Sequence, residues 1–226
     1  MKNINIKKQL IEIGKKIADK GLVVGPGGNI SARIGNIVYM KASGICFEEA
    51  KASDYIGVNL KTGKIVDGSK KPTCEIAMHL GCYLERKDIT AVIHTHPPTA
   101  TAVGMLGITL EPFTPDFVAL VDSDVPTINY VCPSTKELAN EIKKVIKKHN
   151  AVLMCNHGLL TVGSNLVEAY YRTLLIEDAC KTFVAAKSLG KMKFFTRGQA
   201  KEINNLKAES YRKALLKKKE YELCQM

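Results

Sequence analysis

Apolar residues at Ile6, Leu10, Ile13 and Ile17 recur every three to four positions, which predicts an amphipathic helix that Gly21 terminates. Two β-type runs follow within residues 23–44, on either side of the hairpin dipeptide Gly35-Asn36. A second hairpin is expected over 55–68, turning near Thr62-Gly63. Residues 75–86 have a helical pattern, and 91–96 (AVIHTH) a strand pattern that Pro97-Pro98 ends while opening the next helix. Beyond them, 125–131 reads as a strand, and Ser134 with Glu137 as a capping box for a helix through Lys148. Residues 151–163 read as two buried strand segments interrupted at Asn156-His157-Gly158. A long helix is expected from about Leu166 to Leu189, stopped by Gly190, and a basic helical extension over 198–226. Hairpin-linked strands mixed with helices predict an α/β fold with a mostly antiparallel sheet between helical layers. No linker or repeat divides the 226 residues, so a single domain is expected.

Composition narrows the function classes. No apolar run approaches the ~18–20 residues of a membrane span, and the N-terminus interleaves charge with apolar residues, unlike a secretion signal. Seven cysteines without a C-x-x-C argue against a disulfide framework or a cysteine-rich zinc module, and for a cytoplasmic location. The net charge of +11 is concentrated in lysine-rich helical stretches such as 143–148 and 213–219. With no nucleic-acid motif or aromatic series beside it, this charge reads as a solvated helix face that also attracts anionic metabolites.

The strongest chemical signal is His94-Thr95-His96. On a strand, positions i and i+2 share a face, so both imidazoles can reach one metal ion. His157 interrupts an apolar strand pattern, and Glu75 opens a predicted helix. Together they make a three-nitrogen, one-oxygen set suited to Zn²⁺, with Co²⁺ or Mn²⁺ as substitutes. Of the other two histidines, His149 reads as a helix C-terminal cation. His79 lies one turn after Glu75 and reads as ordinary helix packing. A second signal is the turn Gly25-Pro26-Gly27-Gly28-Asn29-Ile30-Ser31, whose backbone N–H groups can crowd an anion. Ala42-Ser43-Gly44 and Pro72-Thr73-Cys74-Glu75 are further small-residue turns able to face the same anion.

In this order and at these separations, the motifs G-P-G-G-N-I-S, A-S-G, P-T-C-E, H-T-H and N-H-G resemble the class II aldolase/epimerase superfamily, its L-fuculose-phosphate aldolases above all. The resemblance covers roughly residues 5–190. It implies a three-layer α/β/α sandwich, usually assembled as a homotetramer. It further implies that His94, His96, His157 and Glu75 hold zinc, with Glu75 leaving the metal to act as catalytic base and acid. Gly28, Asn29, Ser43, Gly44, Thr73 and Cys74 match positions that bind the phosphate of a small phosphorylated sugar. Thr73-Cys74 departs from the family's common Ser-Ser pair, and a thiol is the poorer hydrogen-bond partner. A tyrosine from a neighbouring subunit or the C-terminal tail protonates the departing fragment in the family; Tyr211 is the candidate.

The activity implied is cleavage of a ketose 1-phosphate, such as L-fuculose 1-phosphate, to dihydroxyacetone phosphate and an aldehyde through an enediolate. The acidic position is Glu, where the 4-epimerases usually carry Asp, which favours the aldolase. A dehydratase or decarboxylase of the same superfamily is a third reading. A fourth comes from another class: a basic, metal-containing binding protein without turnover. The loop 108–124 is expected to help set substrate chain length.

Overall fold

The structure is a computed structural model that describes residues 2–223, with side chains over 5–216. The end of the basic extension, 224–226 with Cys224, lies outside the described residues, as do the side chains of 217–219. Helix α1 (Lys2–Asp19) ends at Gly21, whose positive φ reverses the chain. Strands β1 (Asn29–Ile34) and β2 (Ile37–Lys41) form the first expected hairpin, and β3 (Tyr55–Asn59) with β4 (Ile65–Asp67) the second. Helix α2 (Ile76–Glu85), β5 (Ala91–Thr95) and α3 (Pro98–Met105) follow as the pattern predicts. After β6 (Thr127–Ile128) and α4 (Lys136–Ile146) come β7 (Ala151–Met154) and β8 (Gly158–Gly163). The chain then continues through α5 (Leu166–Leu189), α6 (Arg197–Asn204) and α7 (Lys207–Leu223).

The eight strands make one sheet in the order β4-β3-β2-β1-β5-β8-β7-β6, antiparallel at every pairing except β6–β7. Both faces are covered, so alternate residues of the inner strands enter different cores. Val38, Met40, Val92, Val152 and Leu160 pack under α2 and α4. Tyr39, Ala91 and Ile93 pack under α1 and the start of α5, while Leu153 and Leu159 pack under α3 and the middle of α5. This is the three-layer α/β/α sandwich. Burying one of its Val, Leu or Ile side chains contributes about 1.5–3 kcal/mol. Among the described residues, no helix is long and apolar enough to cross a membrane.

Two local expectations need correction. The strand expected over 125–131 shrinks to Thr127–Ile128; Pro126, with no N–H to give a ladder, bounds it on its N-terminal side. Val125 instead forms an isolated bridge with Leu110. The capping box on Ser134 does not form either. Ser134 takes φ 65°, whereas an N-cap is extended, and the cap moves to Thr135, whose Oγ1 accepts from Leu138 N at 3.2 Å. Thr135→Ala is therefore expected to lose about 1 kcal/mol in urea unfolding. Ser134→Gly relieves a left-handed conformation and should hold or gain stability. The reverse ranking of the two variants would return the cap to Ser134.

Candidate metal centre and anion pocket

The sheet register assembles the site. Asn29 on β1 lies directly opposite His94 on β5, which in turn pairs with Leu160 on β8. His94 shares the α2-facing side with Val92, and the chain carries His96 just past the strand end. His157 enters from the turn between β7 and β8, where Asn156 takes φ 57°. Gly158 permits this approach: a Cβ there would lie 2.4 Å from Thr95 O and 2.8 Å from His96 Cδ2. Glu75 occupies the N-cap of α2, with its backbone N–H donating to Thr73 Oγ1 at 3.3 Å.

The ligand-capable atoms of His94, His96 and His157 all lie within 4.8 Å of one another. His94 donates Nδ1–H to Leu159 O at 3.0 Å, which leaves Nε2 as a bare electron pair. That Nε2 lies 3.0 Å from His96 Nε2 and 3.3 Å from Glu75 Oε2, and His157 Nε2 lies 3.4 Å from Glu75 Oε1. A tetrahedral ion with ligands at its usual 2.0–2.1 Å separates neighbouring donors by about 3.3 Å, so the spacing fits. Burial, followed by the neighbouring imidazoles, holds His94 well below the usual histidine range, and burial likewise lowers His96 and His157. Burial thus favours the neutral, electron-pair-donating form of all three rings. Glu75 Oε1 and His157 Nδ1 are buried without a hydrogen-bond partner. A convergent set of neutral nitrogens and a carboxylate with orphaned atoms fits a divalent cation.

A cavity of about 230 Å³ opens above this cluster. Gly28, Asn29, Ser43, Gly44, Thr73, Cys74, Glu75, His96 and His157 all line it, so nearly every residue singled out in the sequence meets here. His94 lies fully buried beside His96. The three turns are laced together. Ser43 N donates to Lys71 O and Thr73 N to Lys41 O, both at 3.0 Å, while Ala42 bridges Pro72. Two expected parts are not brought in. Tyr211 is 67% exposed on α7 and does not line the cavity. The loop 108–124 packs Leu110, Phe117 and Val121 against α5 and stays out of the lining.

Lys41 was missed in the sequence. It ends β2 after Val38-Tyr39-Met40, is 2% exposed, and lines the same cavity. Its Nζ donates to Pro26 O at 3.0 Å and Ile45 O at 2.5 Å, tying the glycine-rich turn to the A-S-G turn. Burial lowers its pKa to about 8, partly offset by Cys46, Glu48 and Cys74. The available signal was a lysine closing an otherwise apolar strand immediately before Ala42-Ser43-Gly44. His79 is buried and stays out of the metal cluster, as expected for a packed helical residue, and burial lowers it to about 3. Its hydrogen-bond partners, however, belong to the site.

Comparison with known proteins agrees with this geometry. Residues 8–184 match the family described as Class II Aldolase and Adducin N-terminal domain. The chain belongs to the class II aldolase family. The 5-deoxy-D-ribulose 1-phosphate aldolase of Bacillus thuringiensis is 32% identical over 199 residues, 87% of this chain and 92% of the relative. A solved L-fuculose 1-phosphate aldolase superposes with a TM-score of 0.84 at 32% identity, over 88% of this chain and 94% of the other. A 3-oxo-tetronate 4-phosphate decarboxylase of Haemophilus influenzae is 26% identical over 91% of this chain and 99% of its own length. Family membership thus coincides with a buried three-histidine cluster beneath a glycine-lined cavity.

Lys41 gives the cavity a pH dependence with two opposite signs. As pH rises through about 8 the ammonium loses its proton, so inorganic phosphate should bind more weakly, and calorimetry on Lys41→Met should show a flatter pH slope. Stability moves the other way. Burial disfavours the charged amine in the fold, so its contribution to stability rises between the folded value of about 8 and the ordinary 10.5. An unchanged phosphate affinity and pH slope in Lys41→Met would remove Lys41 from the anion site.

Proposed function

We propose that this chain is a zinc-dependent aldolase that cleaves a ketose 1-phosphate of the L-fuculose 1-phosphate type to dihydroxyacetone phosphate and an aldehyde. The observation that carries the reading is the placement of Glu75. Its carboxylate lies against His94 and His157 and also faces the cavity lined by the three small-residue turns. Two relatives with 32% identity are named as acting on ketose 1-phosphates, 5-deoxy-D-ribulose 1-phosphate and L-fuculose 1-phosphate, which share the three-carbon phosphate half.

In this reading His94, His96, His157 and Glu75 hold Zn²⁺, with Co²⁺ or Mn²⁺ as substitutes. The bound cation supplies Lewis acidity at the substrate carbonyl. Gly28, Asn29, Ser43, Gly44, Thr73 and Cys74 take the phosphate, aided by the charge of Lys41. Glu75 delivers a proton to the carbon freed by C–C cleavage, and removes it in the reverse direction. The hydroxyl that becomes the aldehyde carbonyl gives up its proton to a second group, which in this reading comes from outside the cavity. Tyr211, exposed on α7, serves a neighbouring subunit's cavity in a homotetramer. The enzyme works in the cytoplasm on small anionic metabolites, which its charge of +11 attracts.

The decarboxylase among the relatives favours a second reading, in which the same centre releases carbon dioxide from a 3-oxo acid phosphate. Zinc-loaded protein incubated with L-fuculose 1-phosphate and 5-deoxyribulose 1-phosphate separates the two. Dihydroxyacetone phosphate release, coupled to NADH oxidation, should disappear with a chelator. It should fall about 10²–10⁴-fold in Glu75→Gln. No release from either ketose by protein holding one metal per chain would defeat the aldolase reading, and carbon dioxide release from a 3-oxo acid phosphate would install the second.

A further inference from the structure

Helix α2 places Glu75, His79 and Tyr83 at i, i+4 and i+8, while β1 places Asn29 and Ser31 at i and i+2 on the facing side. Four helical residues rise about 6.0 Å and two strand residues about 6.8 Å, so the two rows stay in step. They interlock as a single buried chain of hydrogen bonds. Asn29 Nδ2 donates to Glu75 Oε2 at 2.8 Å, and Asn29 Oδ1 meets His79 Nε2. Ser31 Oγ lies 2.7 Å from His79 Nδ1 and 2.8 Å from Tyr83 OH, which also reaches Ser31 O at 3.0 Å. None of the five residues is more than 6% exposed, so water does not substitute for a missing partner.

Chemistry fixes the direction of the chain. A carboxylate only accepts, so the Asn29 amide must turn its NH₂ to Glu75 and its oxygen to His79. That oxygen requires a proton on His79 Nε2. The neutral ring then accepts at Nδ1 from Ser31 O–H, and Tyr83 O–H donates onward to Ser31. A histidine that merely filled space would have no required tautomer.

We propose that His79 is a positioning residue for the reaction at Glu75. By fixing the Asn29 amide it ties Glu75 Oε2 and holds the carboxylate in the orientation that faces His94, His157 and the cavity. The proposal rests on the reading of Glu75 as proton carrier. It gives Asn29 two duties, since the same amide lines the cavity.

Two measurements test it. In the zinc-loaded full chain labelled with ¹⁵N-histidine, the resonance pair that vanishes in His79→Gln should report a proton on Nε2 and none on Nδ1. A proton on Nδ1, or on both nitrogens, would overturn the proposal. Kinetically, His79→Leu should lose about 10–100-fold in kcat at unchanged metal content, while His79→Gln, whose side-chain N–H can meet Asn29 Oδ1, should stay within about threefold of wild type. Equal losses in both variants, or no loss in His79→Leu, would also overturn it. If the wild type cleaves no ketose phosphate, the aldolase reading fails, and the tautomer alone decides whether the donor chain exists. The tautomer needs no folded variant beyond His79→Gln, so poor folding of His79→Leu leaves the test intact.

Discussion

Three imidazoles and a carboxylate converge on one small buried volume, and everything else about the site follows from that convergence. Glu75 Oε1 and His157 Nδ1 are left there without a hydrogen-bond partner, which burial makes costly. A shared divalent ion would give such groups a partner. The lowered histidine pKa values point the same way, since burial favours the neutral ring that a metal needs as a ligand. Burying these polar atoms costs stability, and the surrounding core supplies it. The sheet faces under α2, α4, α1 and α5 are closely packed with aliphatic side chains.

The scaffold achieves the convergence through register and small residues. β5 is central, with β1 on one side and β8 on the other, so a donor on β5 is held from both flanks. A one-residue slip would turn His94 to the opposite face of the sheet. Gly158 and Gly28 sit where any side chain would collide with the His94–His96 backbone: at Gly28, with φ +65°, a Cβ would lie 2.8 Å from His94 O. The cavity above the cluster is built by the same economy of size. Its three turns come from distant parts of the chain and are tied by backbone hydrogen bonds and by the Lys41 ammonium.

Much of this was legible in the sequence because it depends on local rules. Helical periodicity, the Gly35-Asn36 turn and Gly190 gave the elements nearly to the residue. The i, i+2 rule made His94 and His96 one signal, and the ordered motifs drew in His157 and Glu75. What escaped depends on tertiary partners. Lys41 carries no local mark beyond its place after an apolar strand. Its role exists only because Pro26 O and Ile45 O lie within its reach. His79 read correctly as a packed residue, yet its partners Asn29 and Ser31 come from β1, about fifty residues earlier. The cap expected at Ser134 failed because backbone conformation, which composition does not encode, put φ at 65°. Tyr211 is the opposite case: it came from family resemblance alone, and the fold of one chain leaves it exposed and away from the cavity.

X-ray absorption at the zinc edge of the metal-loaded protein tests the centre most directly. The account predicts a nitrogen and oxygen shell at about 2.0–2.1 Å, with the outer scattering of three imidazoles and no sulfur. The chain carries seven cysteines, so the contrary result is concrete. A Zn–S distance near 2.3 Å, or scattering from fewer than three imidazoles, would show that the metal binds elsewhere and that His94, His96, His157 and Glu75 are not its ligands.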